Sequence, residues 1–192
     1  MPIPIVNVGY GSTNYYAIGY KPGQYLLVDC GWPGTLGKLK NQCRIKGIEL
    51  SQIKYLLVTH FHPDHAGLTQ ELINTGIRLL LLETQVKSAE QMKNIMKKDS
   101  GYVDIEVSGI NAIAINDSGE TLKSIGIDAE IISTPGHSPD SVTLILDEGI
   151  AFTGDLTPEI ALPDDEIICR DSWQKIYSKK VTKIYPAHGN IK

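Results

Sequence analysis

Residues 59–67 read THFHPDHAG. Three histidines and an aspartate, His60, His62, Asp64 and His65, fall within six positions. The chain has five histidines in all, and the other two are His137 and His188. The cluster follows IKYLLV (53–58), an apolar run that reads as a buried strand. His60 and His62 are two apart, so an extended backbone would point them to the same side. Pro63 fixes φ and ends the strand. The turn it makes can aim Asp64 and His65 at a neighbouring point, just before a helix. Burying four such groups without partners is costly. Imidazole nitrogens and carboxylate oxygens bind zinc and similar divalent ions at about 2.0–2.2 Å, so the stretch reads as a metal-binding segment.

Four more polar groups stand where apolar segments end. Asp29 follows YLLV, His137 follows EIISTPG, Asp155 follows IAFTG and His188 follows KIYPA. Taken alone, His137 or His188 reads as a hydrogen-bonded structural histidine, and Asp29 and Asp155 as turn aspartates beside glycines. Beside the cluster they read differently. Strand ends on a rigid sheet, continued by loops, are places where a site is held. Two ions about 3.5–4 Å apart would use these ligands and leave room for a bridging water. The segment GYGST (9–13) lacks a phosphate-loop lysine and reads as a turn.

The rest of the chain alternates strands and helices. YYAIG (15–19) and YLLVDCG (25–31) read as strands, and residues 35–46 as a helix with Leu36, Leu39 and Cys43 on one face. Residues 66–76 read as a helix ended by Gly76, residues 77–83 as a buried strand, and residues 84–98 as a helix packing through Val86, Ala89 and Met96. Residues 101–116 read as loop and short strand. Residues 128–138, 141–147 and 150–155 read as strands, 170–180 as a helix and 181–189 as a last strand. Mixed strands and helices around one core predict an α/β (α+β) layered domain covering residues 1–192.

Composition narrows the function. A chain of 192 residues with 42% hydrophobic and 21% charged residues can build one substantial soluble core. Its net charge is −4 and no basic stripe suggests nucleic acid; KNIMKK (93–98) reads as a solvated helix face. The N-terminus lacks the pattern of a secretory leader, and YLLV and LLLL are too short to span a bilayer. Cys30, Cys43 and Cys169 are odd in number and widely spaced, unlike a disulfide framework. The expected location is cytoplasmic.

With these motifs in view, the chain resembles the metallo-β-lactamase superfamily of metallohydrolases. LVDCG (27–31), THFHPDHAG (59–67), TPGHS (134–138), TGD (153–155) and PAHG (186–189) look like that family's five motifs in order. The resemblance implies a four-layer αββα sandwich with the site at one edge. It implies that His60, His62 and His137 bind a first metal, that Asp64, His65 and His188 bind a second, and that Asp155 bridges them. Asp29 would orient a ligand histidine. The implied cofactors are two zinc ions, with iron or manganese possible, and a bridging water ionised near neutral pH. Asp64 is the candidate catalytic residue, as partner of that water.

Asp155 stands where the commonest zinc β-lactamases carry cysteine or lack the bridging ligand, a pattern closer to glyoxalase II, lactonases and phosphodiesterases. Residues after His188 are too few for the glutathione-holding domain of glyoxalase II, and no long insertion resembles the arm of transfer-RNA processing members. The expectation is therefore a hydrolase of a small ester, thioester, lactone or phosphodiester. Its pocket would come from residues 11–16, 32–35 and 157–170, with residues 83–116 covering the site. The alternatives are a mononuclear iron oxygenase of the persulfide dioxygenase kind and a metal-binding domain without catalysis.

Overall fold

The structure, a computed structural model, describes residues 3–96 and 101–191. Among the described residues, nine strands form two sheets. The first has the order β1 (Ile5–Asn7), β2 (Tyr16–Lys21), β3 (Gln24–Val28), β4 (Ile53–Leu57), β5 (Arg78–Leu79). The second has the order β6 (Ala129–Ser133), β7 (Val142–Leu146), β8 (Ile150–Gly154), β9 (Lys183–Pro186). The helices are α1 (Leu36–Ile45), α2 (Pro63–Ala66), α3 (Thr69–Asn74), α4 (Val86–Ile95), α5 (Ser118–Ile125) and α6 (Ile167–Ser178).

The packing gives four layers. Val28, Leu26, Tyr55 and Leu57 of the first sheet meet Ile131, Val142, Leu144 and Phe152 of the second, all buried. Phe152, Tyr16 and Tyr185 pack as a cluster of three rings, with the Phe152 centroid 5.3 Å from Tyr16 and 5.1 Å from Tyr185. Cutting such a ring back to alanine costs about 3–5 kcal/mol. Leu27 and Leu56 point the other way, into a cluster with Leu39 and Cys43 of α1, Leu72 of α3 and Met92 of α4. On the far side, Ile145 and Ala151 pack under Cys169, Trp173 and Ile176 of α6. This is the αββα sandwich expected. Among the described residues no helix is long and apolar enough to cross a membrane.

Strand direction decides where the site lies. β3 and β4 are parallel, so Asp29 and the 59–67 segment leave the first sheet at the same edge. β6 and β8 are both antiparallel to β7, and β9 is parallel to β8, so the residues after all three leave the second sheet at one edge. The Val142 amide donates to Thr59 O at 2.9 Å and joins the two edges. β2 is antiparallel to β3, which brings the β1–β2 loop to this edge as well.

Several local expectations shift. The apolar run at 77–83 gives only two strand residues, because Leu81 and Leu82 continue in irregular chain that meets Ile113. The helix expected over 66–76 is broken at Gly67 and Leu68 into α2 and α3. In α4 the buried methionine is Met92, and Met96 is only partly buried past the helix end; Lys97 and Lys98 lie outside the described residues. Over 101–116 only 3-10 turns and an isolated bridge form. β1, three residues long, and α5, eight residues long, are elements that the sequence reading does not assign.

Candidate metal centre

The histidine segment does not continue β4 as extended chain. His62 N donates to His60 O at 3.0 Å, a one-residue turn, and the amides of His65 and Ala66 then donate to His62 O as α2 begins. Pro63 opens that helix, where its missing N–H is harmless. The turn, rather than strand alternation, brings His60 Nε2 to 3.0 Å from His62 Nδ1. His137 Nε2, carried by the loop after β6, lies 3.1 Å from the same His62 Nδ1. These three nitrogens form one group able to hold a metal ion.

Asp64, His65 and His188 form another such group. Asp64 Oδ2 is 3.4 Å from His65 Nε2 and 3.4 Å from His188 Nε2. Asp155 stands between the groups and splits its carboxylate. Its Oδ2 is 3.9 Å from His60 Nε2 and 3.5 Å from His137 Nε2, and its Oδ1 is 3.3 Å from His65 Nε2 and 3.2 Å from His188 Nε2. All seven candidate ligands therefore meet at one place. His60 and His65 are fully buried and form its floor, while His137 and His188 are exposed at its mouth.

Asp29 lies beneath. Its Oδ2 accepts from His65 Nδ1 at 2.9 Å, and it also accepts the Thr59 amide (2.7 Å) and hydroxyl (2.9 Å). Thr59 Oγ1 is in turn 3.2 Å from His60 Nδ1. Asp29 holds φ at +60°, an uncommon conformation for a residue with a side chain.

Charge in the centre is set by these contacts. Burial opposes a charge on His65, but Asp29, Asp155 and Asp64 outweigh it and push the imidazole up to about 12. Burial and the neighbouring imidazoles hold His60 far below its ordinary value. Burial would raise Asp64, yet His65 and His188 bring it down to about 2. Asp155 is lowered by the same neighbours against its burial, and burial lowers His137.

Two atoms test whether a cation fits. Among the described residues, His65 Nε2 and Asp155 Oδ1 are buried without a hydrogen-bond partner although they lie 3.3 Å apart. A buried donor or acceptor left in that state is unfavourable. A divalent ion between nitrogen and oxygen would satisfy both, and the donor set suits zinc, iron or manganese.

Some contributors escaped the sequence reading. Thr13 Oγ1 donates to Asp64 Oδ2 at 3.2 Å, and His188 Nδ1 lies 2.8 Å from Ser12 O. Both belong to the 11–16 loop, the expected pocket segment, which also braces two of the candidate ligands. Residues 31–35 pack beside α2 through Gly31, which bridges to Ala66, and leave Trp32 half-exposed. In the 157–170 stretch, Cys169 packs against Gly136, next to His137. In the 83–116 stretch, Gln85 reaches Val58 O at 2.9 Å. Thr59 could have been noticed inside its motif; Thr13 carries no local mark.

The metallo-beta-lactamase superfamily model matches residues 8–188. The "Beta-lactamase-like protein 2 homolog" of Drosophila melanogaster is 27% identical over 188 residues, covering 94% of this chain and 59% of the fly protein. Its Caenorhabditis elegans namesake is 29% identical, covering 94% of this chain and 57% of its own length. The chain thus spans less than three fifths of either relative. A Methanocaldococcus jannaschii protein named "Probable metallo-hydrolase" is 28% identical, covering 100% of this chain and 94% of its own. Of solved structures, a metallo-beta-lactamase family protein from Thermus thermophilus has a TM-score of 0.74 at 20% identity, covering 99% of this chain and 73% of that one. A Cronobacter sakazakii metallo-beta-lactamase with an HARLDQ motif has 0.70 at 16%, covering 96% and 78%. At such identities the two structures speak for the fold alone.

Proposed function

The chain belongs to the metallo-β-lactamase superfamily, and from that premise we propose that it is a hydrolase with two divalent ions, zinc before iron or manganese, acting on a small ester, thioester, lactone or phosphodiester. The observation that carries this reading is the split carboxylate of Asp155. One oxygen faces His60 and His137 and the other faces His65 and His188. A single-ion oxygenase centre would leave one of those oxygens without a task, so the geometry favours two ions.

When bound, the ions would supply an acidified water, with a pKa near 7, and a Lewis acid for the electrophile's oxygen. The chain's own residues do the rest. Asp64 stays ionised at neutral pH, so it accepts a hydrogen bond from the attacking water and never competes with it as a donor. Thr13 holds that carboxylate in one orientation. His60 and His65 close the floor against bulk water, while the mouth between His137 and His188 admits the substrate. Asp155, whose two oxygens face the two groups, would hold both ions and add negative charge where they are bound. The 11–16, 32–35 and 157–170 segments, with Trp32 half-exposed among them, are the surfaces proposed to grip the substrate.

Metal analysis joined to an activity panel tests this. Chain protected from chelators should hold close to two divalent ions and hydrolyse at least one ester-like compound, and β-lactams weakly or not at all. Chelation should abolish turnover, and zinc or manganese should restore it. One iron per chain with oxygen uptake and no hydrolysis would replace the reading with the oxygenase. Turnover of β-lactams far above every ester-like compound would reverse the substrate class.

A further inference from the structure

The three-histidine group is built from two separate loops. His60 and His62 sit on residues 59–62 and His137 on residues 134–138. The spacing between their nitrogens therefore depends on what ties those loops together. Asp140, 5% exposed, makes such a tie. Its Oδ2 accepts the amide of Phe61, the residue between His60 and His62, at 2.8 Å. Its Oδ1 accepts the hydroxyl of Ser138, the neighbour of His137, at 2.9 Å. Gln85, fully buried, braces the same junction. Its amide nitrogen donates to Asp140 O at 3.2 Å and to Val58 O and Thr59 O at 2.9 and 3.3 Å.

We infer that Asp140 is a positioning residue for the three-histidine group, setting the distance of His137 from His60 and His62 through its bonds to Phe61 and Ser138. Packing alone would not select a carboxylate here, since burying a charge is costly and an apolar side chain would fill the space. What a carboxylate adds is two acceptors held in one plane, each making a charge-assisted bond to a different loop. The other group is braced elsewhere. Thr13 holds Asp64, Ser12 O meets His188 and Asp29 meets His65, and none of these contacts involves Asp140. Loss of Asp140 should therefore be felt at one ion and spare the other.

The inference rests on the proposal that these histidines hold a metal. The test titrates metal-free wild type, Asp140→Ala, Asp140→Asn and Ser138→Ala with cobalt(II), following visible absorption and competition with a chelator, with circular dichroism to confirm folding. Asp140→Ala should weaken the ion at His60, His62 and His137 about tenfold or more and alter its absorption, as partners behind metal ligands generally do. The ion at Asp64, His65 and His188 should stay within about twofold. Asp140→Asn keeps one acceptor oxygen and Ser138→Ala removes one contact, so both should fall between. They decide the matter if the alanine variant does not fold. First-ion affinity within about twofold of wild type in both of these, or equal weakening of both ions, would overturn the inference. A wild-type chain that takes up no cobalt would overturn the metal reading and this inference with it.

Discussion

Asp29 Oδ2 and His65 Nδ1 meet at 2.9 Å beneath the site, both residues buried. The bond keeps a hydrogen on Nδ1, so Nε2 is the nitrogen that faces Asp64 and Asp155. Asp29→Asn replaces one acceptor oxygen by a donor. The ion proposed at Asp64, His65 and His188 should bind about 10–100-fold more weakly. Asparagine tolerates the φ of +60° held here, so the fold should survive. Chelator competition reads the affinity, and an unchanged value would remove the orienting role.

The raised pKa of His65 gives a pH dependence with a definite sign. In metal-free protein it moves from an ordinary 6.5 to about 12, so the folded state holds the extra proton over that range. That stabilisation is complete below about 6.5 and fades as pH rises toward 12. Asp64 works in the opposite sense at acid pH, its contribution being lost as pH falls from 3.8 through about 2. Metal-free chain should therefore melt at lower temperature at about pH 10 than at about pH 7, and metal-loaded chain should show a smaller decline. Ion uptake near neutral pH should also release a proton, seen as a buffer-dependent heat in calorimetry.

Asp64→Ala should remove nearly all turnover while unfolding stays cooperative, because the apolar clusters lie away from this partly exposed side chain. Steady-state rates beside a melting curve decide it; near-normal rates would dismiss the assignment.

Gly154, just before Asp155, has φ +56°, and a Cβ there would sit 2.6 Å from Thr59 Oγ1 and 2.8 Å from Thr59 Cβ. Thr59 is the residue that joins Asp29 to His60. Gly154→Ala combines backbone strain with displacement of Thr59, at a cost of about 2 kcal/mol or more. Melting should fall by about 4–8 °C, with weaker metal retention. A melting temperature close to that of wild type would show that Thr59 gives way freely.

The site was readable because histidine is scarce here and because strand ends announce themselves by apolar runs that stop at a polar residue. His137 and His188 needed the sheets to bring them in, but their strands were visible. The braces were not. Thr13 acts on Asp64 across 51 positions and Asp140 on Phe61 across 79. Nothing in a threonine beside a turn or an aspartate after a proline marks such a partner. The fold shows the same limit: β4 and β7 stand out as apolar runs, whereas β1 has three residues and α5 holds Gly119 in its first turn.

Ser12 and His188 touch although 176 positions separate them. On a ribosome the first waits through nearly the whole synthesis of this stretch for the second. His60, His62 and His137 have all been made before Asp155 or His188, so a nascent chain can gather the three-histidine group while its neighbour still lacks a member. Domains begin to fold as they emerge, and pairings between distant segments form late. If the proposed metal reading holds, an early ion would meet only the three-histidine group, and the group of Asp64, His65 and His188 would wait for its last member.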